Sequence, residues 1–388
     1  MKKIVFLIHT LGGGGAEKVL VNLVNNMDKS KFDVTVMTVI DTGIYRGSLN
    51  KDVKYKSIIK IPFRNGKNRS GSLLTTMSFK KKVAIFIYNL FWKFFPIKLI
   101  HKLFIGNKYD VEVAFLEGIC AKIISRSSNP NSKKYAWIHV DLEQQHKSKS
   151  VFINQACESR AYNKFDKIVC VSDYVKEKFC STLDVDKEKV VVKYNPIDSN
   201  EIIAKSANDT FVDRKRFTIC SIGRLNRQKN YMRLARCTKS LIDKGYKFDV
   251  WVIGEGTGRP EIEKYINDNK LNNNFFLLGY IENPYPILAK ADAFVCSSNA
   301  EGYSTSVVEA LILGKPVVTT DCAGMSEIFG GYTCGIITQN NDEALCDGIE
   351  RILSSKEDML KFEKDTAVRG KQFDIVGSVD KIEELLYE

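Results

Sequence analysis

Hydrophobic and polar positions along this chain of 388 residues follow two alternating periods. Residues 3–9 form a mostly apolar run ending in histidine, residues 11–15 are glycine-rich, and 16–27 carry Val19, Leu20, Leu23, Val24 and Met27 at the spacing of one helical face. A β-branched run at 34–40 comes next, and short buried runs at 111–116, 135–139 and 167–171 continue the series with helical stretches between them. The order of strand, glycine turn, amphipathic helix and strand begins again at 217. It predicts strands at 218–222, 248–253, 275–278, 293–297 and 316–320, and helices at 231–244, 261–269 and 306–313. Strands alternating with helices in this way build parallel sheets covered on both faces. The pattern therefore predicts an α/β chain of two doubly wound domains in tandem, 1–196 and 197–372. They join near Tyr194–Asp198, where Pro196 keeps its predecessor extended. Ligands of open α/β sheets bind at the carboxyl ends of the strands, so two such domains facing each other would place a site in the cleft between them.

Composition narrows the class. A hydrophobic content of 44% with 27% charged residues excludes wholesale disorder. The net charge of +12 is local: residues 53–109 hold 13 Lys or Arg and no Asp or Glu, and without them the chain carries 45 basic and 46 acidic residues. A cationic, aromatic-rich segment points to an anionic partner. No helix-turn-helix, zinc-finger or RNA-recognition pattern accompanies it, which argues against nucleic acid. The ten cysteines are scattered, without a CxxC, and read as buried free thiols in a reducing cytosol. The apolar run after Met1-Lys2-Lys3 is too short for a signal peptide, and no stretch reaches about 20 uncharged apolar residues, so no spanning helix is expected.

Two motifs carry chemistry. In Glu301-Gly302-Tyr303-Ser304-Thr305-Ser306-Val307-Val308-Glu309 one glutamate precedes a helix and one lies inside it. Ser304–Ser306 supply N-cap chemistry, and the free N–H groups of the helix start suit a phosphate. Taken alone, the pair reads equally as two solvated glutamates beside a core helix. The second motif, Gly223-Arg224-Leu225-Asn226-Arg227-Gln228-Lys229-Asn230, puts three cations just past a strand's carboxyl end, where a phosphate-bearing ligand should lie; a basic surface loop is the alternative. The run from Gly12 to Gly15 imitates a nicotinamide fingerprint only in part, since Glu17 or Lys18 stands where the third glycine belongs. His139, at the end of its strand with Asp141 two residues on, is the one histidine of four read as combining a strand terminus with a nearby carboxylate.

The two motifs, in this order and at this separation, resemble those of the family 4 retaining glycosyltransferases of the GT-B fold. The likeness extends to the N-terminal glycine loop, Asn195-Pro196-Ile197-Asp198, Val252-Ile253-Gly254-Glu255-Gly256 and the segment from Gly314 to Asp321, and in outline is nearest to bacterial enzymes of capsule and exopolysaccharide synthesis. It implies that Arg224 and Lys229, with Gly223 and the amides around Thr305, Ser306 and Val307, hold a nucleotide diphosphate. Glu309 would bind the ribose, and Glu301, with Tyr303 and Ser304 beside it, the donor sugar. Gly254 and Gly256 would let the backbone approach the nucleoside, and Tyr280 and Ile281 would contact the base. Gly14 and Gly15 would approach the donor phosphate, Gly13 and Ala16 would shape the acceptor side, His139 would bond the donor sugar and stabilise positive charge, and Asp141 would touch the acceptor. One departure is EGYS in place of the commoner EGFG, which leaves the sugar open. The resemblance also implies that a last helix at about 373–388 returns to the first domain.

The implied reaction is retaining transfer of a hexose or N-acetylhexosamine from a UDP-sugar to a lipid-linked saccharide. Arg224, Lys229 and the helix terminus stand in for a metal, and no cofactor is expected. Lys80, Lys81 and Lys82, with Trp92 and Lys93 further on, suit an anionic headgroup surface, while a core helix with a solvated lysine face is the alternative. The expected location is the cytoplasmic face of the plasma membrane. Two rival readings remain: a sugar-nucleotide epimerase, which has no use for the spacing of Glu301 and Glu309, and an inactive GT-B subunit bound to a membrane partner.

Overall fold

The computed structural model describes residues 1–60, 92–144, 151–209 and 212–388. The chain divides into two compact units, Met1–Pro196 with Ile375–Glu388, and Ile197–Asp374. Each is built on one parallel sheet.

In the first unit, β1 (Lys2–Ile8), β2 (Phe32–Ile40), β3 (Lys54–Ile59), β4 (Val111–Ala114), β5 (Lys133–Ile138), β6 (Lys167–Cys170) and β7 (Val190–Val192) lie in the order β3-β2-β1-β4-β5-β6-β7. The order reverses between β1 and β4, which opens a crevice at their carboxyl ends. Ile4 to Ile8 of β1 are all fully buried, as a strand covered on both faces requires. The edge strands β3 and β7 lie outside the predicted series: β3 alternates lysines with half-buried residues, and β7 is a run of three valines.

A polar pair ties a helix to this sheet. Glu112 of β4 and His101 of the helix Ile97–Phe104 are both fully buried, and His101 Nε2 lies 2.9 Å from Glu112 Oε2. The Ser128 amide donates to His101 Nδ1 at 3.1 Å, so the imidazole's proton sits on Nε2 and points at the carboxylate. Pro96 is the N-cap of that helix. Ile97, Ile100 and His101 face inward, while Lys98, Leu99, Lys102, Leu103 and Phe104 face solvent, Leu103 at 68% exposure. Phe94 is 65% exposed just before it. Trp92 is only 2% exposed, which overturns its expected place at a membrane surface: the indole is core. Lys93 is half-buried, and Lys80, Lys81 and Lys82 lie outside the described residues. Among the described residues no helix is long and apolar enough to cross a membrane.

The last helix, Ile375–Tyr387, is part of the first unit. It buries Val379, Ile382, Leu385 and Leu386, takes a hydrogen bond from Tyr135 Oη on the Leu385 carbonyl at 2.9 Å, and accepts the Asp28 amide on Glu383.

The second unit holds β8 (Phe217–Ile222), β9 (Phe248–Ile253), β10 (Phe275–Gly279), β11 (Ala293–Cys296), β12 (Val317–Thr320) and β13 (Gly335–Thr338) in the order β10-β9-β8-β11-β12-β13. Its switch point lies between β8 and β11, the strands that lead into the two motifs.

Leu386→Ala, which empties a fully buried position under the last helix, should cost about 2–5 kcal/mol. Hydrogen exchange should then quicken in β1 and β5 while the second unit keeps its protection.

Candidate functional site

In the second unit the chain leaving β8 packs main chain against main chain on the chain leaving β9. Gly223 N donates to the Ile253 carbonyl and Leu225 N to the Glu255 carbonyl, each at 3.0 Å. A Cβ on Gly254 (φ +146°) would fall 2.0 Å from the Gly223 carbonyl oxygen, and one on Gly256 would fall 2.3 Å from that of Leu225. Both glycines are thus required by the packing of these loops, rather than only by approach to a nucleoside.

The two motifs meet in an ion pair between half-buried Lys229 and buried Glu301. Lys229 Nζ lies 2.6 Å from Glu301 Oε1, with Glu301 8% exposed. Ser298 Oγ donates to the same oxygen, and the Ser298 carbonyl is itself held by Thr320 Oγ1 at 2.6 Å. Burial works against the charge on Lys229, but the adjoining Glu301 carboxylate outweighs it and holds the ammonium above the ordinary lysine range. Two bonds to main-chain carbonyls lace the loops together: Asn299 N donates to that of Gln228 at 2.7 Å, and Ser297 Oγ to that of Lys229 at 2.9 Å. Arg233 forms the hub behind them, donating to Asn340 Oδ1 at 2.7 Å and Asn299 Oδ1 at 3.2 Å and pairing with Asp342 at 3.0 Å. Ser298, Arg233, Asn299 and Asn340 were not singled out from the sequence, since nothing in their spacing marks them.

Arg224 is exposed at the mouth of this arrangement. Glu309 is buried inside the helix Thr305–Ile312, where Tyr285 Oη donates to Oε1 at 3.3 Å. Ser304 occupies the N-cap of that helix without making the expected side-chain cap. Its hydroxyl instead pairs with Ser306 Oγ at 3.2 Å, so no side chain caps the helix start. Tyr303 is buried beside it, Thr305 is half-buried, and Val307 is fully buried. Gly279 (φ +78°) turns the chain to the half-exposed Tyr280 and the half-buried Ile281.

In the first unit, His139 stands one residue past β5 against the ring of Phe115, centroids 5.0 Å apart. Burial pulls its pKa down to about 4, so the ring is neutral, while a hydrogen bond to the Phe115 carbonyl works in the opposite direction. A neutral ring can accept a hydroxyl but does not itself carry positive charge at neutral pH. Asp141 is buried, accepting the Glu143 amide at 2.9 Å on Oδ1, and its Oδ2 has no hydrogen-bond partner among the described residues. In the glycine loop, Gly13 and Gly15 are exposed, Ala16 is half-buried, and Glu17 folds over the buried Gly14, where a Cβ would lie 2.2 Å from its carboxylate. The helix start there carries a carboxylate of its own. His9, just past β1, also occupies a strand end and was passed over in the sequence; burial lowers its pKa too.

An open polar cavity of about 660 Å³ lies at the amino ends of the second sheet, lined by residues including Arg214, Lys290, Asp292, Lys315 and Glu363. It is at the far end of the strands from both motifs.

Two family models match the chain: Glycosyltransferase Family 4 over residues 132–201 and Glycosyl transferases group 1 over 203–369. The chain is 25% identical to the N-acetylgalactosamine-N,N'-diacetylbacillosaminyl-diphospho-undecaprenol 4-alpha-N-acetylgalactosaminyltransferase of Campylobacter jejuni, over 97% of each protein. It is 27% identical to the UDP-Gal:alpha-D-GlcNAc-diphosphoundecaprenol alpha-1,3-galactosyltransferase of Escherichia coli, over 74% of this chain and 77% of that one. Among solved structures it is similar in fold to Anabaena HepE in complex with UDP and glucose (TM-score 0.74, 19% identity, all of both chains). It is also similar to TarM (TM-score 0.73, 15% identity, 100% of this chain and 99% of that one).

Because burial lowers the pKa of both His9 and His139, the unfolded chain binds more protons below the ordinary histidine value of 6.5, for His139 down to about pH 4. Their contribution is present above 6.5 and is lost as pH falls toward 4. The melting temperature should therefore drop from pH 7 to pH 5, and His139→Asn should flatten that drop, as read by differential scanning fluorimetry.

Proposed function

The chain belongs to the family 4 glycosyltransferases of the GT-B fold, and on that premise we propose that it moves a hexose or N-acetylhexosamine from a UDP-sugar to a lipid-linked saccharide, with retention of configuration, in cell-surface polysaccharide synthesis. The observation that carries this reading is the Lys229–Glu301 ion pair, its carboxylate buried, with Arg224 exposed beside it and Glu309 buried on the helix that follows. Arg224, Lys229 and the uncapped start of the helix Thr305–Ile312 supply positive charge for a departing diphosphate. Glu301 Oε1 is saturated by Lys229 and Ser298, which orients its other oxygen for a sugar hydroxyl. Glu309 suits the ribose. The diphospho-undecaprenol named in the C. jejuni and E. coli relatives, and the UDP-Gal of the latter, support the choice of acceptor and donor.

In this mechanism the leaving phosphate takes the acceptor's proton as the new bond forms on the same face of the sugar. Protein side chains position and stabilise rather than attack. Charge on the diphosphate is met by Arg224 and Lys229, and the transfer is metal-independent. The enzyme works at the cytoplasmic face of the plasma membrane, held there in part by the outward face of the helix Ile97–Phe104, whose Leu99, Leu103 and Phe104 stand beside Lys98 and Lys102.

A panel of UDP- and GDP-sugars, scored by thermal shift and by release of free nucleotide, tests the donor. One UDP-sugar should raise the melting temperature and turn over, with and without EDTA. Glu309→Ala should raise its KM about 10- to 100-fold, the weight of a hydrogen bond to a charged group of about 1.5–3 kcal/mol. Wild-type kinetics in that variant, or activity lost to EDTA and restored by Mg²⁺, contradict the assignment.

For the surface, flotation with phosphatidylglycerol-containing vesicles should carry the protein upward, and Leu103→Glu should release it. Binding that is equal in both proteins, or absent from the wild type, removes this helix from the membrane contact.

A further inference from the structure

The loop that leaves β4 touches His139 in three ways. The ring of Phe115 packs on the imidazole, and the Phe115 carbonyl takes a hydrogen bond from it. Among the described residues Nε2 is buried without a hydrogen-bond partner, which leaves Nδ1 to face the carbonyl as donor. The third contact is a charge-assisted hydrogen bond to the main chain. Glu117 Oε1 accepts the main-chain N–H of His139 and, at 3.2 Å, that of Val140.

Strand lengths explain why a side chain is needed here. The β4–β5 ladder ends at the pair Ala114–Ala136, and β5 runs on to Ile138. Beyond that pair the ladder stops, and the next carbonyl, that of Phe115, serves the His139 ring rather than a main-chain amide. The chain turns away at Gly118 (φ +74°), a left-handed position that glycine tolerates without strain, and starts the helix Ile119–Ile124. A carboxylate one residue before the turn reaches the two amides that the ladder leaves behind. Glu117 is only half-buried, so the charge keeps contact with water while one oxygen serves the strand end. Such charge-assisted bonds are about twice as strong as neutral ones.

We propose that Glu117 is a positioning residue for the transfer reaction, holding the strand end so that His139 presents its Nε2 lone pair to a hydroxyl of the donor sugar. This rests on the proposed transferase function and on the donor-sugar role that the family resemblance implies for His139. It assigns Glu117 no contact with substrate. Neither its type nor its spacing from His139 marks it in the sequence.

The test pairs a structural readout with a kinetic one, in the full chain. Glu117→Gln keeps an oxygen acceptor at the same reach, and Glu117→Ala removes it. Long-range ¹⁵N–¹H spectra of protein labelled on histidine should show His139 as a single Nδ1–H tautomer in the wild type and in Glu117→Gln, and as a mixture in Glu117→Ala. This readout needs no substrate, so it stands even if the donor assignment fails. With the donor identified by the panel, Glu117→Ala should lower kcat at least about 10-fold while KM for the donor and affinity for UDP stay within about twofold. Glu117→Gln should stay within about threefold of wild type. If the alanine variant does not fold, Glu117→Asp, which withdraws the carboxylate by one carbon, takes its place with the same direction expected. An unchanged tautomer and kcat in the truncated variant, a glutamine variant as impaired as alanine, or UDP affinity falling in step with kcat would overturn the proposal.

Discussion

The ion pair of half-buried Lys229 and buried Glu301 is the constraint around which the second unit's crevice is arranged. Moving two charges out of water costs several kcal/mol each, and the attraction between them repays this only with good geometry and with the remaining polar valences satisfied. That requirement accounts for the surrounding bonds: Ser298 on Glu301, Thr320 on Ser298, Ser297 on the Lys229 carbonyl, and Arg233 behind them on Asn299 and Asn340. The loops after β8 and β11 are thereby fixed at the switch point of the sheet, the position where an open α/β sheet leaves room for a ligand. Arg224 alone of the two proposed phosphate cations stands exposed, while Lys229 begins already paired and must share its charge with an arriving diphosphate.

The first unit meets the same physical demand by different means. Its strand ends run past one another unevenly, and polar groups stranded there need partners. Glu117 serves the amides after β5, and Glu383 of the last helix serves the Asp28 amide. In the core, His101 answers the carboxylate of Glu112. Glu117 and Glu383 each give a carboxylate to main-chain amides, and His101 gives a ring N–H to a carboxylate. His139 lies among them as a neutral ring, which suits it to accept a hydroxyl.

The charge surplus has a similarly divided explanation. Lysines at 54 and 56 belong to β3, and Lys98 and Lys102 share a solvent-facing helix surface with Leu99, Leu103 and Phe104. Trp92 looked in sequence like the aromatic partner of those lysines, yet it is buried. An aromatic residue next to lysine has the same local pattern whether it faces a membrane or a core, and only packing distinguishes the two.

What the sequence determined by itself was periodic or contiguous: two parallel sheets, the helices between them, and the two motifs placed just past strand ends. Hydrophobic periodicity records which face of an element is covered, and glycine, proline and charge clusters mark where elements stop, so these features are written locally. The tertiary structure decided the partnerships. Lys229 and Glu301 are 72 positions apart, Glu117 and His139 are 22, and Arg233 and Asn340 are 107. It also decided that Ser304 bonds Ser306 rather than capping its helix, and that Gly254 and Gly256 serve the packing of two loops. A side chain's partner depends on the lengths and registers of neighbouring strands, which follow from burying the whole sheet at once. No local pattern carries that information.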